Sequence, residues 1–378
     1  MIYFDNSATS YPKPVGVARQ CMRALRFYSF NSGRGGYRES LRAADKIYEV
    51  RELIGSLVNF PPENIVFTKN CTEALNIAVK GLAKAGGHVI ISSLEHNSVS
   101  RIVQSLSDQG IIDYDIARFS SDETECTRAF AALIKENTCA VICMHASNVF
   151  GVTFPIAAIG ALCREKGIPF IVDAAQSVGA LDLDGFSDQI DVLCAPGHKC
   201  LMGPMGTGFL AVRDGISLKP LCEGGTGSAS LSLQQPAELP DRLESGTLNN
   251  PGIIALGEGI RFINTFGIKH IYNHEMKLSA LLYDALCEMD KVKLYTGRPE
   301  VGRTVPIISF NVEGRSSEAV AAYLAEHNIC VRSGYHCSYL AHRHFCTLQT
   351  GTVRLSLGYF NTEDECERFL NVLKKFVN

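Results

Sequence analysis

The sequence predicts an α/β protein with a mainly parallel sheet, followed by a smaller α+β region. Three observations support this prediction. Short apolar runs rich in β-branched residues alternate with segments of helical spacing up to residue 212. A stretch rich in glycine, serine and leucine over 214–250 then breaks the alternation, and isolated strand patterns follow it. Buried strands connected by helices are typical of parallel sheets with helices on both faces.

In the first part of the chain, strands are predicted where apolar residues run without interruption: 64–68, 88–92, 139–145, 168–176, 191–196 and 207–212. Helical spacing predicts helices over 73–86 and 156–167. The second of these helices ends at Gly167, a residue type that suits the left-handed position after a helix.

In the last part of the chain, a long amphipathic helix is predicted from residue 251 onward. Apolar runs predict strands at 306–312, 329–334 and 351–358. A helix is predicted over 316–327, and the last fifteen or so residues have the pattern of an amphipathic helix. This mixture predicts a separate, smaller α+β domain.

The composition excludes several function classes. The chain has 378 residues, of which 46% are hydrophobic and 20% charged, and its net charge is −3. Such a balance suits an ordinary globular protein and gives no electrostatic reason to expect nucleic acid or an acidic membrane. The start, MIYFDNSATS, lacks the pattern of a signal peptide, and no apolar run approaches the roughly 20 residues that a membrane span needs.

The fourteen cysteines are scattered, and none forms a CxxC pair. A chain of this length does not need disulfides to hold its core, so most cysteines are expected to be small buried hydrophobic residues. Cys143 and Cys163, within apolar segments, fit this expectation. The reducing cytoplasm is the expected location.

The first sign of chemistry is a pair of ionisable residues after two apolar strands. Asp173 ends the strand at 168–176, and the carboxyl ends of such strands usually bind ligands. Lys199 follows the strand at 191–196 in the segment GHK. Lys199 alone would be interpreted as a solvated surface residue, because buried lysines are rare. Together, the two residues suit pyridoxal 5′-phosphate (PLP), which needs a lysine for its Schiff base and an acid for its ring nitrogen.

Two other segments supply the remaining needs of this cofactor. A phosphate binds well at a helix N-terminus, and TKNCTEALN provides one after a strand, with Cys71 and Thr72 at its start. His96, in SSLEHNSV, is a candidate to stack on the pyridine ring of the cofactor. The glycine-rich stretch at 224–230 lacks the GKS ending and the following helix of a phosphate loop, so it carries little weight.

The chain resembles the class V aminotransferase family, and within it the group II-like cysteine desulfurases and selenocysteine lyases. The resemblance rests on the shared order of these segments: YFDNSATSYPKP, NSGRGGYRES, FTKNCTEALN, SLEHNS, HASNVFG, VDAAQSVG, GHK, LESGTLNNPGIIAL, VRSGYHCS and TVRLSLGYFNT. It implies the PLP-dependent transferase fold type I. A large domain (14–255) would hold a mainly parallel seven-stranded sheet, a small domain (256–378) would carry Cys337, and residues 1–13 would pack with the small domain.

The resemblance also implies roles around the cofactor ring. Lys199 would bind PLP covalently and later move the Cα proton of the substrate. Asp173 would pair with the pyridine nitrogen, Gln176 would form a hydrogen bond with the phenolic oxygen, and His96 would stack on the ring.

At the phosphate, the resemblance implies contacts from Thr72, the backbone of Cys71, and His198. Thr247 would reach the phosphate bound by the neighbouring subunit, because the family builds its sites at a homodimer interface. One position departs from the family pattern. Pro196 stands where members commonly have a serine or threonine that touches the phosphate. Proline has neither hydroxyl nor N–H, so we expect one missing contact and weaker cofactor binding.

For the substrate, the resemblance implies that Asn148 and Arg354 bind the carboxylate, since a guanidinium fork suits that group. Asn148 would also contact the cofactor. Arg332 would shape the same region, and Ala8 is expected beside the substrate.

Cys337 falls at the position of the family's sulfur-accepting cysteine, on a short segment. His336 and nearby arginines are expected to favour its thiolate, the reactive form. The implied reaction converts L-cysteine to L-alanine and leaves a persulfide on Cys337 for a sulfur-acceptor protein, as in iron–sulfur cluster assembly. Open alternatives are selenocysteine lyase, another class V activity such as C–S lyase, epimerase or aminotransferase, and a PLP-binding scaffold without catalysis.

Two other interpretations of Cys337 need to be tested. The first is an ordinary buried core cysteine. The second is a zinc ligand, because histidine and cysteine are crowded into a short segment: His336, Cys337, His342, His344 and Cys346. Their spacing matches neither a paired CxxC nor an HxxxH pattern, so no metal is expected.

Overall fold

The computed structural model describes residues 1–33 and 35–377. The chain begins with the two-residue strand β1 (Ile2–Tyr3) and then builds a seven-stranded sheet from β2 (Ile65–Thr68), β3 (Gly87–Ser92), β4 (Ile112–Ala117), β5 (Thr138–Met144), β6 (Phe170–Asp173), β7 (Val192–Pro196) and β8 (Gly208–Val212). The strand order is β2-β8-β7-β6-β5-β3-β4. Only β8 runs antiparallel to its neighbours, so the predicted mainly parallel seven-stranded sheet is confirmed.

Apolar cores on both faces of this sheet explain the uninterrupted apolar runs in the sequence. Val141 and Ile142 are adjacent in β5, yet they belong to cores on opposite faces, because successive side chains of a strand alternate. β4 was not predicted from the sequence. It is an edge strand in which Asp113 is exposed and Tyr114 and Asp115 are only partly buried.

The helices of this part are α1 (Val15–Phe27), α2 (Arg38–Val58), α3 (Cys71–Leu82), α4 (Asn97–Asp108), α5 (Glu123–Ala131) and α6 (Ile156–Lys166). The predicted closure of α6 by Gly167 is confirmed, with φ of 66°. The prediction of a helix to residue 86 is wrong, because the chain leaves α3 after Leu82 and a turn forms between Lys84 and Gly87.

The predicted long helix after residue 250 is two helices, α7 (Asn250–Phe266) and α8 (Ile268–Cys287). Gly267, with φ of 84°, separates them. The predicted domain boundary at 255/256 falls within α7, and the division into domains stays a prediction.

The last part holds β9 (Val292–Leu294), β10 (Ile307–Val312), α9 (Ser317–Glu326), β11 (Ile329–Cys330), β12 (Arg332–Gly334), α10 (Tyr339–His344), β13 (Thr352–Ser356) and α11 (Glu363–Val377). Four of these strands form an antiparallel sheet in the order β12-β13-β10-β9. β11 instead pairs with β1, and Ile2 and Phe4 join the apolar core of this part. The N-terminal segment thus contacts the region that follows α8.

Three other predictions concern the chain as a whole. All fourteen cysteines are free, and Cys143 and Cys163 are fully buried as expected. No helix within the described residues has the length and apolar character to cross a membrane. Within the NSGRGGYRES segment, Arg34 lies outside the described residues.

Candidate active site

A cavity of about 170 Å³ opens where β5, β6 and β7 end and α3 and α4 begin. Its wall consists of Asn70, Cys71, Thr72, His96, Ser98, Met144, Ala146, Asn148, Asp173, Ala175, Gln176, Pro196, His198 and Lys199. The structure therefore brings together eight of the residues predicted to bind the cofactor. They come from segments that are far apart in the chain but meet at one edge of the parallel strands.

Asp173 and Lys199 both line this cavity. Asp173 is the last residue of β6 and is 3% exposed, and its Oδ1 accepts a hydrogen bond from the N–H of Ala175 at 3.0 Å. Burial raises the pKa of the Asp173 carboxyl, against the effects of that hydrogen bond and of the charge of Lys199. Burial likewise lowers the pKa of Lys199, against the charge of Asp173. A lysine with a lowered pKa has a larger fraction of free amine, which is the form that attacks a carbonyl.

His96 is held in place as the residue that caps α4. Its Nδ1 accepts from the N–H of Ser98 at 3.0 Å and also contacts the Ser98 hydroxyl. Burial, reinforced by the charge of Lys199, lowers the pKa of His96 to about 4. The ring is therefore neutral at pH 7, and its orientation is fixed by the first turn of α4.

The start of α3 forms the other end of the cavity. The side chain of Asn70 accepts from the N–H of Glu73 at 2.9 Å, which satisfies one of the donors that a helix start leaves free. The N–H groups of Cys71 and Thr72 belong to the same first turn and have no acceptor within the helix. They form a ready site for an anion such as a phosphate.

His198, Gln176 and Pro196 complete the wall near Lys199. The Nδ1 of His198 is buried without a hydrogen-bond partner among the described residues, and burial lowers the pKa of this ring to about 4. The side chain of Gln176 donates to the carbonyl of Ser7 at 3.0 Å. Pro196 ends β7 within the wall, where it offers no donor.

Arg354 is fully buried on β13, beside the residues that line the cavity. It donates from Nη1 to the carbonyl of Asn148 at 2.7 Å, and its Nη2 lies 2.5 Å from Oδ1 of Asp5. The Nε of Arg354 has no partner in the described part of the chain. Arg332 lies directly opposite on β12, so two guanidinium groups start from neighbouring backbone positions.

The segment that carries Cys337 is tied to the cavity by three hydrogen bonds. The N–H of Asn97, next to His96, donates to the carbonyl of Cys337 at 2.8 Å. Asn148 donates from Nδ2 to the carbonyl of His336 at 2.9 Å, and its Oδ1 accepts from the hydroxyl of Ser338 at 2.8 Å. The thiol therefore lies on a fixed segment beside the cavity.

Cys337 is exposed, so the alternative of a buried core cysteine is wrong. Its φ of 57° is in the left-handed region, which few non-glycine residues adopt and which often marks functional sites. Nη2 of Arg332 lies 3.5 Å from its sulfur. No group of three or more potential metal-ligating side chains occurs in residues 1–33 and 35–377.

The expectation that His336 favours the thiolate of Cys337 is wrong. The ring is 2% exposed and stacks on His342 at 5.7 Å, and burial lowers its pKa to about 2. The ring is therefore neutral and cannot stabilise a thiolate by charge. The cation next to the sulfur is Arg332.

Besides Arg332, Cys337 and Arg354, two further predicted residues lie outside the cavity wall. Thr247 is exposed and does not line the cavity that contains Lys199. Its predicted phosphate contact would have to be made in a neighbouring subunit. Ala8 is partly buried and follows Ser7, whose carbonyl accepts from Gln176.

Three residues next to the predicted site residues were not predicted from the sequence: Asp5, Ser98 and Glu95. Asp5 pairs with Arg354, but 349 positions separate the two residues, and no sequence pattern connects them. Ser98 could have been found from its position two residues after His96, where a helix start was predictable from the HNS pattern. Glu95 is fully buried, accepts from Ser92 and from the N–H of Met144, and lies near Asp173.

The donor set fits PLP. The cofactor needs an amine, an acid for its ring nitrogen, a flat neighbour and donors for its phosphate. Lys199, Asp173, His96 and the first turn of α3 meet these needs in one cavity. The unpartnered Nδ1 of His198 adds a buried polar atom that a ligand in the cavity could satisfy.

Comparisons with known proteins agree with this geometry. The family model described as aminotransferase class-V matches residues 2–369. A probable cysteine desulfurase from Methanothermobacter thermautotrophicus is 34% identical, over 97% of this chain and 92% of the relative. A probable cysteine desulfurase from Pyrococcus abyssi is 35% identical, over 100% of this chain and 94% of the relative. The apo structure of cysteine desulfurase from Thermococcus onnurineus superposes with a TM-score of 0.92 at 32% identity, covering 100% of this chain and 94% of that one.

Proposed function

Because the chain belongs to the class-V aminotransferase family, whose members use PLP, we propose that it is a cysteine desulfurase. It converts L-cysteine to L-alanine and retains the sulfur as a persulfide on Cys337. One observation carries this proposal: an exposed thiol, with a guanidinium 3.5 Å from its sulfur, is fixed beside a cavity that holds Lys199 and Asp173. A transaminase or a simple PLP-binding protein has no need of that thiol.

PLP, when bound, withdraws electrons from the Cα of the amino acid, which allows bonds at Cα and Cβ to break. The protein supplies the proton transfers. The Lys199 amine, whose pKa is lowered by burial, takes the proton from Cα. Asp173 holds the ring nitrogen protonated, and the neutral His96 provides a flat surface against the ring. The first turn of α3 holds the phosphate.

Arg354 orients the substrate. Its Nε remains available, while Nη1 and Nη2 are engaged by Asn148 and Asp5. A carboxylate that approaches this guanidinium gains a charge-assisted hydrogen bond in a buried setting, where such bonds are strongest.

The Cys337 thiolate then attacks the sulfur of the substrate. A new S–S bond forms as the Cβ–S bond breaks, and the electron pair of the broken bond stays on Cβ. A proton added at Cβ and the return of a proton from Lys199 to Cα complete alanine, so L-cysteine and the Cys337 thiol give L-alanine and the persulfide. Nη2 of Arg332 lies 3.5 Å from the attacking sulfur.

Three further features belong to this proposal. The fixed Cys337 segment cannot carry the sulfur far, so an acceptor protein must approach the exposed cysteine. The enzyme is a homodimer in which the exposed Thr247 contacts the phosphate bound by the other subunit. It acts in the cytoplasm, where fourteen unpaired cysteines are stable.

The test is product analysis combined with a matched pair of variants. Wild-type protein loaded with PLP is given L-cysteine and a reducing thiol, and alanine, sulfide and pyruvate are measured. We expect equal amounts of alanine and sulfide and, when the reducing thiol is omitted, a mass increase of one sulfur on a peptide containing Cys337. Cys337→Ala should lose nearly all desulfuration but keep the cofactor absorbance. Cys346→Ala, which removes another exposed cysteine nearby, should behave as wild type.

Several results would contradict the proposal. Pyruvate in place of alanine would indicate a lyase that eliminates sulfide. Wild-type rates of alanine formation in Cys337→Ala would show that this cysteine is not the nucleophile. Turnover of L-selenocysteine without turnover of L-cysteine would assign the protein as a selenocysteine lyase.

A further inference from the structure

Cys71 lines the cavity, yet the mechanism above uses only its backbone. It is the first residue of α3, and its Sγ lies 3.6 Å from Oδ1 of Asp173. The same Oδ1 accepts the N–H of Ala175 at 3.0 Å. A thiol is a weak donor, and a carboxylate is the kind of acceptor that strengthens such a bond. One carboxylate oxygen therefore has two donors from the protein.

We propose that Cys71 is a positioning residue whose thiol donates a hydrogen bond to Asp173 and so helps to keep the ring nitrogen of bound PLP protonated. This inference rests on the proposed function in one respect, namely that PLP occupies the cavity. It adds a side-chain role for Cys71 that a methyl group at the same place could not fulfil.

The surroundings of Asp173 explain why one weak donor matters. The ionisable groups that face it are Cys71 from α3, Cys194 from β7, Lys199 after β7 and Glu95 after β3. Burial raises the pKa of Asp173 itself and raises that of Glu95 to about 8. Lys199 is the positively charged member of this set, but in the loaded enzyme its nitrogen is bound to PLP. The carboxylate then depends more on its neutral donors.

The thiol is in the right protonation state to donate. Burial, reinforced by the charge of Asp173, raises the pKa of Cys71 well above its ordinary value. Cys71 therefore stays protonated at pH 7 and is a poor nucleophile. This separates its role from that of the exposed Cys337.

Loss of the thiol should change the charge on the cofactor ring. Without this donor, the Asp173 carboxylate is less stable, and the proton shared with the ring nitrogen moves toward the carboxylate. The ring nitrogen then carries less positive charge. Because that charge repels the proton on the Lys199 nitrogen, the Lys199 nitrogen keeps its proton to a higher pH.

The experiment is a pH titration of the visible absorption band of the PLP-loaded enzyme. For Cys71→Ala we expect the midpoint to move to higher pH by about half a unit, the size that corresponds to one modest hydrogen bond. Cys71→Ser should stay close to wild type, because a hydroxyl also donates. Cys194→Ala is the matched control: this buried cysteine faces Asp173, but no hydrogen bond joins the two within the described residues.

A second measurement avoids any dependence on the folding of Cys71→Ala. The S–H stretching band of Cys71, obtained as the infrared difference between wild type and Cys71→Ser, should lie at lower frequency than that of a thiol without an acceptor. Asp173→Asn should move it to higher frequency. An unshifted titration midpoint in a folded Cys71→Ala, or an S–H band unaffected by Asp173→Asn, would overturn the inference. A wild-type protein that develops no visible band with PLP would overturn the proposed function as well.

Discussion

Replacing Glu244 by alanine should be among the most destabilising single changes in the chain. Glu244 and Arg51 form an ion pair whose side chains are 5% and 7% exposed. Two hydrogen bonds connect them, from Nη1 to Oε1 at 2.9 Å and from Nη2 to Oε2 at 2.6 Å. Glu244 also accepts the N–H of Phe67 at 2.5 Å, and the guanidinium lies 4.6 Å from the Phe67 ring centre. The Arg51–Glu244 ion pair therefore connects the segment before Thr247 to the edge strand β2.

The magnitude follows from what the substitution leaves behind. Glu244→Ala leaves the Arg51 guanidinium buried, with the carbonyl of Ile65 as its hydrogen-bond acceptor in the described part of the chain, and it removes the acceptor of the Phe67 N–H. An uncompensated buried charge costs about 3–5 kcal/mol. The orphaned N–H would by itself cost about 1–3 kcal/mol, and the two costs overlap because the cavity can admit water. We expect the free energy of unfolding to fall by about 4 kcal/mol.

The assay is equilibrium unfolding in urea, followed by circular dichroism at a fixed protein concentration. Glu49→Ala is the control, because Glu49 pairs with Lys46 at 2.5 Å but is 38% exposed, and an exposed pair contributes at most about 1 kcal/mol. The double variant Arg51→Met with Glu244→Leu should recover most of the stability, because it removes both charges. The reasoning is refuted if Glu244→Ala costs no more than Glu49→Ala, or if the double variant is less stable than Glu244→Ala.

Three shorter predictions concern the site. Pro196→Ser should tighten PLP binding by up to about tenfold. One added hydrogen bond to a charged group contributes about 1.5–3 kcal/mol, before any loss of contacts that now compensate for it. An unchanged dissociation constant, measured by equilibrium dialysis, would argue that no phosphate contact is missing at position 196. When Lys199→Ala and Thr247→Ala subunits are mixed, one of the two sites in each heterodimer has both Lys199 and Thr247, so about half of the heterodimer sites should be active. A protein that light scattering shows to be a fully active monomer would contradict the shared site. Burial raises the pKa of Glu95 from 4.5 to about 8, so ionisation favours the unfolded chain and the stability of the wild type falls as pH rises between these values. The stability of Glu95→Gln relative to wild type should therefore increase from pH 5 to pH 9. A difference in Tm that does not depend on pH would show that Glu95 does not titrate in this way.

The sequence alone predicted the mainly parallel sheet and named Asp173 and Lys199 as candidate site residues. Strands such as β5 and β6 are buried on both faces, so they appear as uninterrupted apolar runs that no other element of that length would produce. Asp173 and Lys199 follow such runs directly, and the carboxyl ends of parallel strands meet at one edge. Their positions after apolar strands, together with their residue types, led to the prediction that both serve one cofactor.

Only the tertiary structure decided the contacts between distant segments and the charges of buried groups. The partner of Arg354 is Asp5, which β1 and β11 bring into place by pairing across the whole length of the chain. The expected effect of His336 on the Cys337 thiolate was wrong because the His336 pKa depends on burial, and burial is a property of the packed molecule. The thiol of Cys71 faces Asp173 for the same reason. A sequence pattern is periodic along one element, whereas desolvation and hydrogen bonding depend on which elements pack together.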